Sequence, residues 1–95
     1  MTDRELLELA SKACGLEEAK MRIEFNQWNP LTDDGDALRL AVKLTLAVSV
    51  CTGYTVILGV FDGDKNVRED YGNDPLAATR RAIVRAAAEI GRNMK

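Results

Sequence analysis

The chain has 95 residues, 46% of them hydrophobic and 29% charged, with a formal net charge of −2. That length makes one domain with a single core, and the acidic balance argues against nucleic-acid binding through bulk charge. The absence of histidine excludes Ser-His-Asp and Cys-His catalysis and any histidine-ligated zinc site.

Thr2, followed three residues later by Glu5, predicts a capping box at the start of a helix. Leu6, Leu9, Ala10 and Ala13 fall on one face of it, and Gly15 supplies its stop, because glycine enters the left-handed cap conformation freely. Met21, Ile23 and Phe25 alternate with Arg22, Glu24 and Asn26, a period of two that predicts a strand with one buried face. Gln27 to Pro30 breaks the pattern, and Asn29 before proline is pushed towards an extended conformation, so a loop is expected there.

Thr32 or Asp33 is placed to cap a second helix, with further carboxylates in its first turn complementing the helix dipole. Leu38, Ala41, Val42 and Thr45 are expected to share its apolar face, with Arg39 and Lys43 on another. The run Leu44 to Cys51 fits helix or strand by periodicity, and Val48 and Val50 tip it towards strand from about Leu46. Thr52-Gly53 is a turn signal. Tyr54 to Phe61 is apolar at nearly every position, the pattern of a strand covered on both faces. Asp62-Gly63-Asp64-Lys65 predicts a hairpin turn, and the more polar Asn66 to Tyr71 an edge strand. Asp74 then caps a last helix that has Pro75 at its first position. Leu76, Thr79, Ile83, Ala86 and Ile90 form its apolar stripe, Arg81, Arg85 and Arg92 line another face, and Gly91 sits near its expected end.

The predicted order is α-β-α-β-β-β-α in one domain spanning residues 1–95. This is an α+β fold, with a small, mostly antiparallel sheet covered by helices in an α/β/α-type sandwich.

The stretch Trp28-Asn29-Pro30-Leu31-Thr32-Asp33-Asp34-Gly35-Asp36-Ala37-Leu38-Arg39-Leu40-Ala41, with Asp74-Pro75 and Ala78-Thr79-Arg80-Arg81-Ala82-Ile83 downstream, resembles small phage and prophage proteins of the phage ABA sandwich domain family. The resemblance spans most of the chain, and the Trp-Asn-Pro-Leu and Asp-Asp-Gly-Asp stretch is its most specific part. It implies an α/β/α layering and a phage or prophage origin. It brings no established activity and no functional residues to transfer.

Three groups of residues are candidates for function. Arg80, Arg81 and Arg85 lie early in the last helix, whose free backbone N–H groups add to their attraction for a phosphate or another anion. Pairing with the chain's own carboxylates, Asp62, Asp64, Glu69 or Asp70, is the competing explanation. Trp28, the single tryptophan, offers an indole for a base or a protein contact, or else closes one end of the core. Asp33, Asp34 and Asp36 supply hard oxygen ligands for Mg²⁺ or Ca²⁺, or else cap and complement the second helix. Their spacing is not that of an EF-hand loop. Cys14, near a helix C-terminus, and Cys51, in an apolar run, read as packing residues in the reduced state.

Charge is unevenly placed. Residues 1–74 carry 14 acidic and 8 basic side chains, and residues 75–95 carry 1 acidic and 5 basic. A basic helix on an acidic body suits an anion or an acidic partner. The expectation is an accessory binding protein of phage origin without catalytic activity and without a cofactor. It would act in the host cytoplasm on a host or defence protein, or sequester a small anionic ligand, and homo-oligomers would form through an edge strand. The alternative is a metal-dependent enzyme acting on phosphoesters through Asp33, Asp34 and Asp36. Nucleic-acid binding through Trp28 and the last helix ranks last. Membrane insertion is not expected, because no apolar run approaches the roughly 20 residues of a spanning helix and the charged start Asp3-Arg4-Glu5 lacks the layout of a signal peptide.

Overall fold

The computed structural model describes residues 1–15, 28–60 and 65–94. Helix α1 spans Asp3–Cys14. The Thr2 side chain accepts the Glu5 N–H and the Glu5 carboxylate accepts the Thr2 N–H, completing the capping box, and Gly15 closes the helix at φ +72°. Helix α2 spans Asp34–Lys43, capped by Asp33, whose carboxylate accepts the Asp36 N–H at 2.8 Å. Strands β1 (Ala47–Val50), β2 (Tyr54–Val60) and β3 (Lys65–Asp70) follow. Helix α3, Pro75–Arg92, starts behind Asp74, which accepts the Ala77 N–H.

The fold is therefore α+β, with an antiparallel sheet in the order β1-β2-β3. The strand predicted at Met21–Phe25 and the hairpin turn predicted at Asp62–Asp64 lie outside the described residues. No helix among the described residues is long and apolar enough to cross a membrane.

Helix α3 is the centre of the packing. It lies on β2 and β3 with one side and contacts α1 and α2 with others. Its buried residues, Ala78, Ala82, Ile83, Val84, Ala86, Ala87, Ala88 and Gly91, extend well beyond the single stripe expected from the sequence. A helix wrapped by three neighbours needs small side chains on several sides, since backbones approach closely only where side-chain volume is low. Gly91 stands one residue before the last helical residue, Arg92, close to the stop expected there. It lies inside the last turn, where an added Cβ would overlap the Leu9 carbonyl and stand 3.3 Å from the Ala13 nitrogen of α1. Helices α1 and α3 run parallel. Arg81 reaches Asp3 at one end, and the Lys12 ammonium donates to the Met94 carbonyl at the other.

The core joins Leu6, Leu7, Ala10 and Cys14 of α1 with Ala37, Leu40 and Ala41 of α2, Ile57 of β2, Val67 of β3 and the buried face of α3. Two expected faces are rotated. In α1 Leu7 and Cys14 are buried in place of the half-buried Leu9 and Ala13. In α2 Ala37, Leu40 and Ala41 are buried, while Leu38 and Val42 stand 65% and 68% exposed.

Helix α3 covers the sheet face that carries Thr55, Ile57 and Val67. Side chains alternate along a strand, so Tyr54, Val56 and Leu58 point to the opposite face, where Leu58 is 46% exposed. Among the described residues β2 is thus fully buried on the helix-covered face and only partly buried on the other. Between Ile57 and Val60 the register to β3 slips by one residue, a bulge in β2.

The α2–β1 junction is tight. The Thr45 N–H donates to the Val42 carbonyl and the Leu46 N–H to the Ala41 carbonyl, the paired bonds of a Schellman-type stop. The left-handed position in that motif is usually glycine. Here it is Thr45 at φ +51°, a conformation that a β-branched residue adopts at a cost.

Candidate functional site

The three arginines of α3 do not converge. Arg80 donates through Nε to the Leu31 carbonyl at 2.8 Å and through a terminal nitrogen to the Asp34 carboxylate at 2.6 Å. Its side chain is 16% exposed, so it works as a strut between α3 and the start of α2. Arg81 pairs with Asp3 at the start of α1, 3.2 Å away. Arg85 pairs with Glu69 of β3 and donates to the Arg68 carbonyl at 3.1 Å. Successive residues on a helix are turned by about 100°, which aims neighbouring arginines at different elements. Each guanidinium ties α3 to one of them, and none of the three joins another in a cradle for a phosphate.

The acidic cluster is divided in the same way. Asp33 caps α2, and Asp34 holds Arg80. Asp36 accepts the Asn29 N–H at 3.0 Å and pairs with Arg39 at 3.2 Å. Asn29 itself forms an Asx turn, its side-chain oxygen accepting the Leu31 N–H. The Trp-Asn-Pro-Leu and Asp-Asp-Gly-Asp segments thus form one locally bonded entrance to α2. Among the described residues no cluster of three or more acidic or cysteine side chains is arranged to hold a metal ion. Trp28 is buried, packed in the core cluster ahead of this entrance.

Several apolar residues face solvent, among them Val50 and Leu76, and two of them share one face of α2. Leu38 and Val42 are one turn apart and adjacent on the helix surface, with Arg39 and Lys43 exposed beside them. Periodicity alone assigns the pair to the core. The signal that distinguishes them is a surplus: Ala37, Leu40, Ala41 and Leu44 already supply an inward face, and a short helix in a small domain buries only one.

A second exposed feature lies on the outer sheet face. The Arg68 guanidinium stacks over the Tyr54 ring at 4.0 Å, and Arg68 also pairs with Asp70 at 3.0 Å. A side-chain hydrogen bond that the Tyr54 phenol donates to Cys51 raises it above its usual value, and the nearby Arg68 charge opposes that shift. On the inner face, the fully buried Thr55 hydroxyl bonds the Tyr71 hydroxyl at 3.0 Å and the Thr79 hydroxyl at 2.8 Å. This trio satisfies itself and joins β2 to α3. No protein-family model, curated protein or solved structure matches the chain.

Proposed function

We propose that this chain is a non-catalytic binding protein that acts by contacting another protein, and that Leu38 and Val42 of α2 are the centre of the contact. The observation that supports this reading is their exposure, 65% and 68%, on a helix whose inward face is already filled. Adjacent aliphatic side chains flanked by Arg39 and Lys43 suit an apolar groove rimmed by carboxylates, the mode in which an amphipathic helix lies in a partner's groove. A phage origin, implied by the resemblance to phage ABA sandwich proteins, is the reason to seek that partner among host or defence proteins of an infected cell. Sequestration of a small anion has less support, because Arg80, Arg81 and Arg85 each hold an intramolecular partner.

Affinity capture from infected-cell extract tests this reading, comparing the wild-type chain with Leu38→Glu/Val42→Glu. Both side chains are exposed, so the double variant keeps its circular dichroism and melting temperature. The expected result is a stoichiometric partner held by the wild type and lost with the variant. Retention of the same partner by the variant overturns the α2 surface. A small anion bound to the wild-type chain in native mass spectrometry, with no protein captured, favours sequestration instead.

A further inference from the structure

We infer that β1 is a self-association edge, pairing antiparallel with β1 of a second copy about a two-fold axis through Ser49. Among the described residues β1 has one neighbour, β2, on one side only. The Cys51 N–H donates to the Tyr54 carbonyl at 2.9 Å, and the register runs Val50↔Thr55, Ser49↔Val56, Val48↔Ile57. In an antiparallel ladder, residues that exchange bonds with the neighbouring strand alternate with residues whose backbone groups point the other way. Cys51, Ser49 and Ala47 therefore bond towards β2, and the N–H and C=O groups of Val48 and Val50 point outward from the edge.

Edge strands are ordinarily blunted by charge or proline. Strand β3 follows that rule with Lys65, Arg68, Glu69 and Asp70, whereas no charged residue and no proline occurs from Leu44 to Phe61. Val50 adds the second observation. It is paired in register with Thr55, which is fully buried under α3, yet Val50 itself is 70% exposed.

A second copy resolves both features. The segment Val48-Ser49-Val50 reads the same in both directions, so a two-fold axis at Ser49 sets Val48 opposite Val50 of the other copy and Val50 opposite its Val48. The outward N–H and C=O groups of these residues then exchange bonds. Each exposed Val50 side chain gains a valine neighbour on the helix-covered face, an aliphatic cross-strand pair. Ser49 meets Ser49 of the other copy across a non-hydrogen-bonded pair, where Cα atoms approach to about 4.5 Å. The two Cys51 residues lie at opposite ends of the shared ladder, so the dimer is non-covalent and indifferent to reductant. A second copy is favoured over an unrelated strand by this symmetry, since a closed two-fold contact requires a patch complementary to itself.

Sedimentation velocity over a concentration series, with cysteine trapping, tests the inference. The wild-type chain is expected to sediment at twice its 10.5 kDa mass at high concentration. Val50→Lys places a charge on the edge at an exposed position and is expected to keep the fold and weaken association by about tenfold or more. Ser49→Cys in a Cys51→Ala background is expected to form a covalent dimer on mild oxidation, and reduction returns the original species. A wild-type chain that stays monomeric at millimolar concentration overturns the proposal. So does a dimer that is unchanged by Val50→Lys and forms no Ser49→Cys cross-link, since its interface then lies elsewhere.

Discussion

Gly91 of α3 sits directly against the carbonyl of Leu9 in α1, so closely that any Cβ at position 91 would overlap that backbone. Glycine inside a helix costs about 1 kcal/mol relative to alanine, and Gly91→Ala recovers that propensity. The overlap is with backbone, which cannot turn aside as a side chain does, so α1 and α3 must separate. Overpacking of this kind costs about 1–3 kcal/mol and exceeds the gain. We expect Gly91→Ala to lower the urea midpoint. Gly35→Ala in α2 is the matched control, because its Cβ would meet only the Asp33 carboxylate and the Arg39 guanidinium at 3.2 and 3.3 Å. Both are side-chain ends rather than backbone, although the Asp33 oxygen also caps α2, so Gly35→Ala is expected to change stability by less than about 1 kcal/mol in either direction. Equal effects at the two glycines would contradict this account of the α1–α3 contact.

The strained stop of α2 gives a prediction of opposite sign. Thr45 occupies a left-handed position at φ +51°. An L-residue pays roughly 1–2 kcal/mol there that glycine avoids, part of which glycine returns as lost chain entropy. Thr45→Gly is therefore expected to stabilise the fold by about 1 kcal/mol, visible as a higher melting temperature. Thr45→Val keeps the strain and should give no gain.

Arg80 and Arg81 are adjacent in sequence and differ in what they hold. Arg80 uses two nitrogens at once, one on the Leu31 carbonyl and one on Asp34, a fork that lysine cannot reproduce. Hydrogen bonds from charged groups are worth about 1.5–3 kcal/mol, so Arg80→Lys is expected to lose most of what Arg80→Ala loses. Arg81 makes one bond to an exposed Asp3, a surface pair worth at most about 1 kcal/mol, so Arg81→Lys should be nearly silent. Chemical denaturation of the four variants separates the two cases. A silent Arg80→Lys would show that the Leu31 contact contributes little.

The capping box sets a pH dependence at the start of α1. The Thr2 hydroxyl, and then the Thr2 N–H, hydrogen-bond the Glu5 carboxylate and hold its pKa below the usual glutamate value. A carboxyl depressed on folding adds stability above its unfolded pKa, about 4.3, and loses it as pH falls through the lower folded value. Helix α1 should therefore loosen at its N-terminus as the solution is acidified through that window, read as faster amide exchange at Glu5 and Leu6. Glu5→Gln should flatten that part of the profile. An unchanged profile would show that Glu5 does not titrate with the cap.

Local chemistry was legible in the sequence to the residue. Thr2 with Glu5, Gly15, Asp74 with Pro75, and the Thr52-Gly53 turn all act through bonds within a few positions, so their patterns carry their structure; the cap of α2 was narrowed to Thr32 or Asp33, and Asp33 holds it. The switch from helix to strand near Leu46 was readable for a similar reason, since β-branched residues crowd a helix and suit a strand. The α+β class followed from those elements. Only the tertiary structure decided which apolar residues are buried, because burial depends on what lies opposite. Leu38 and Val42 have the spacing of a core face, yet α3 meets the other side of α2. Gly91 stands near the stop expected for α3, and only the packing shows that α1 lies against it. The arginines of α3 read as a phosphate cradle or as pairs with Asp62, Asp64, Glu69 or Asp70, and among the described residues only Glu69 of these is a partner, Asp3 and Asp34 being the others. A short-range rule fixes a cap or a turn; the partner of a long, flexible guanidinium, or the neighbour of an outward valine, is fixed only when the chain brings remote segments together.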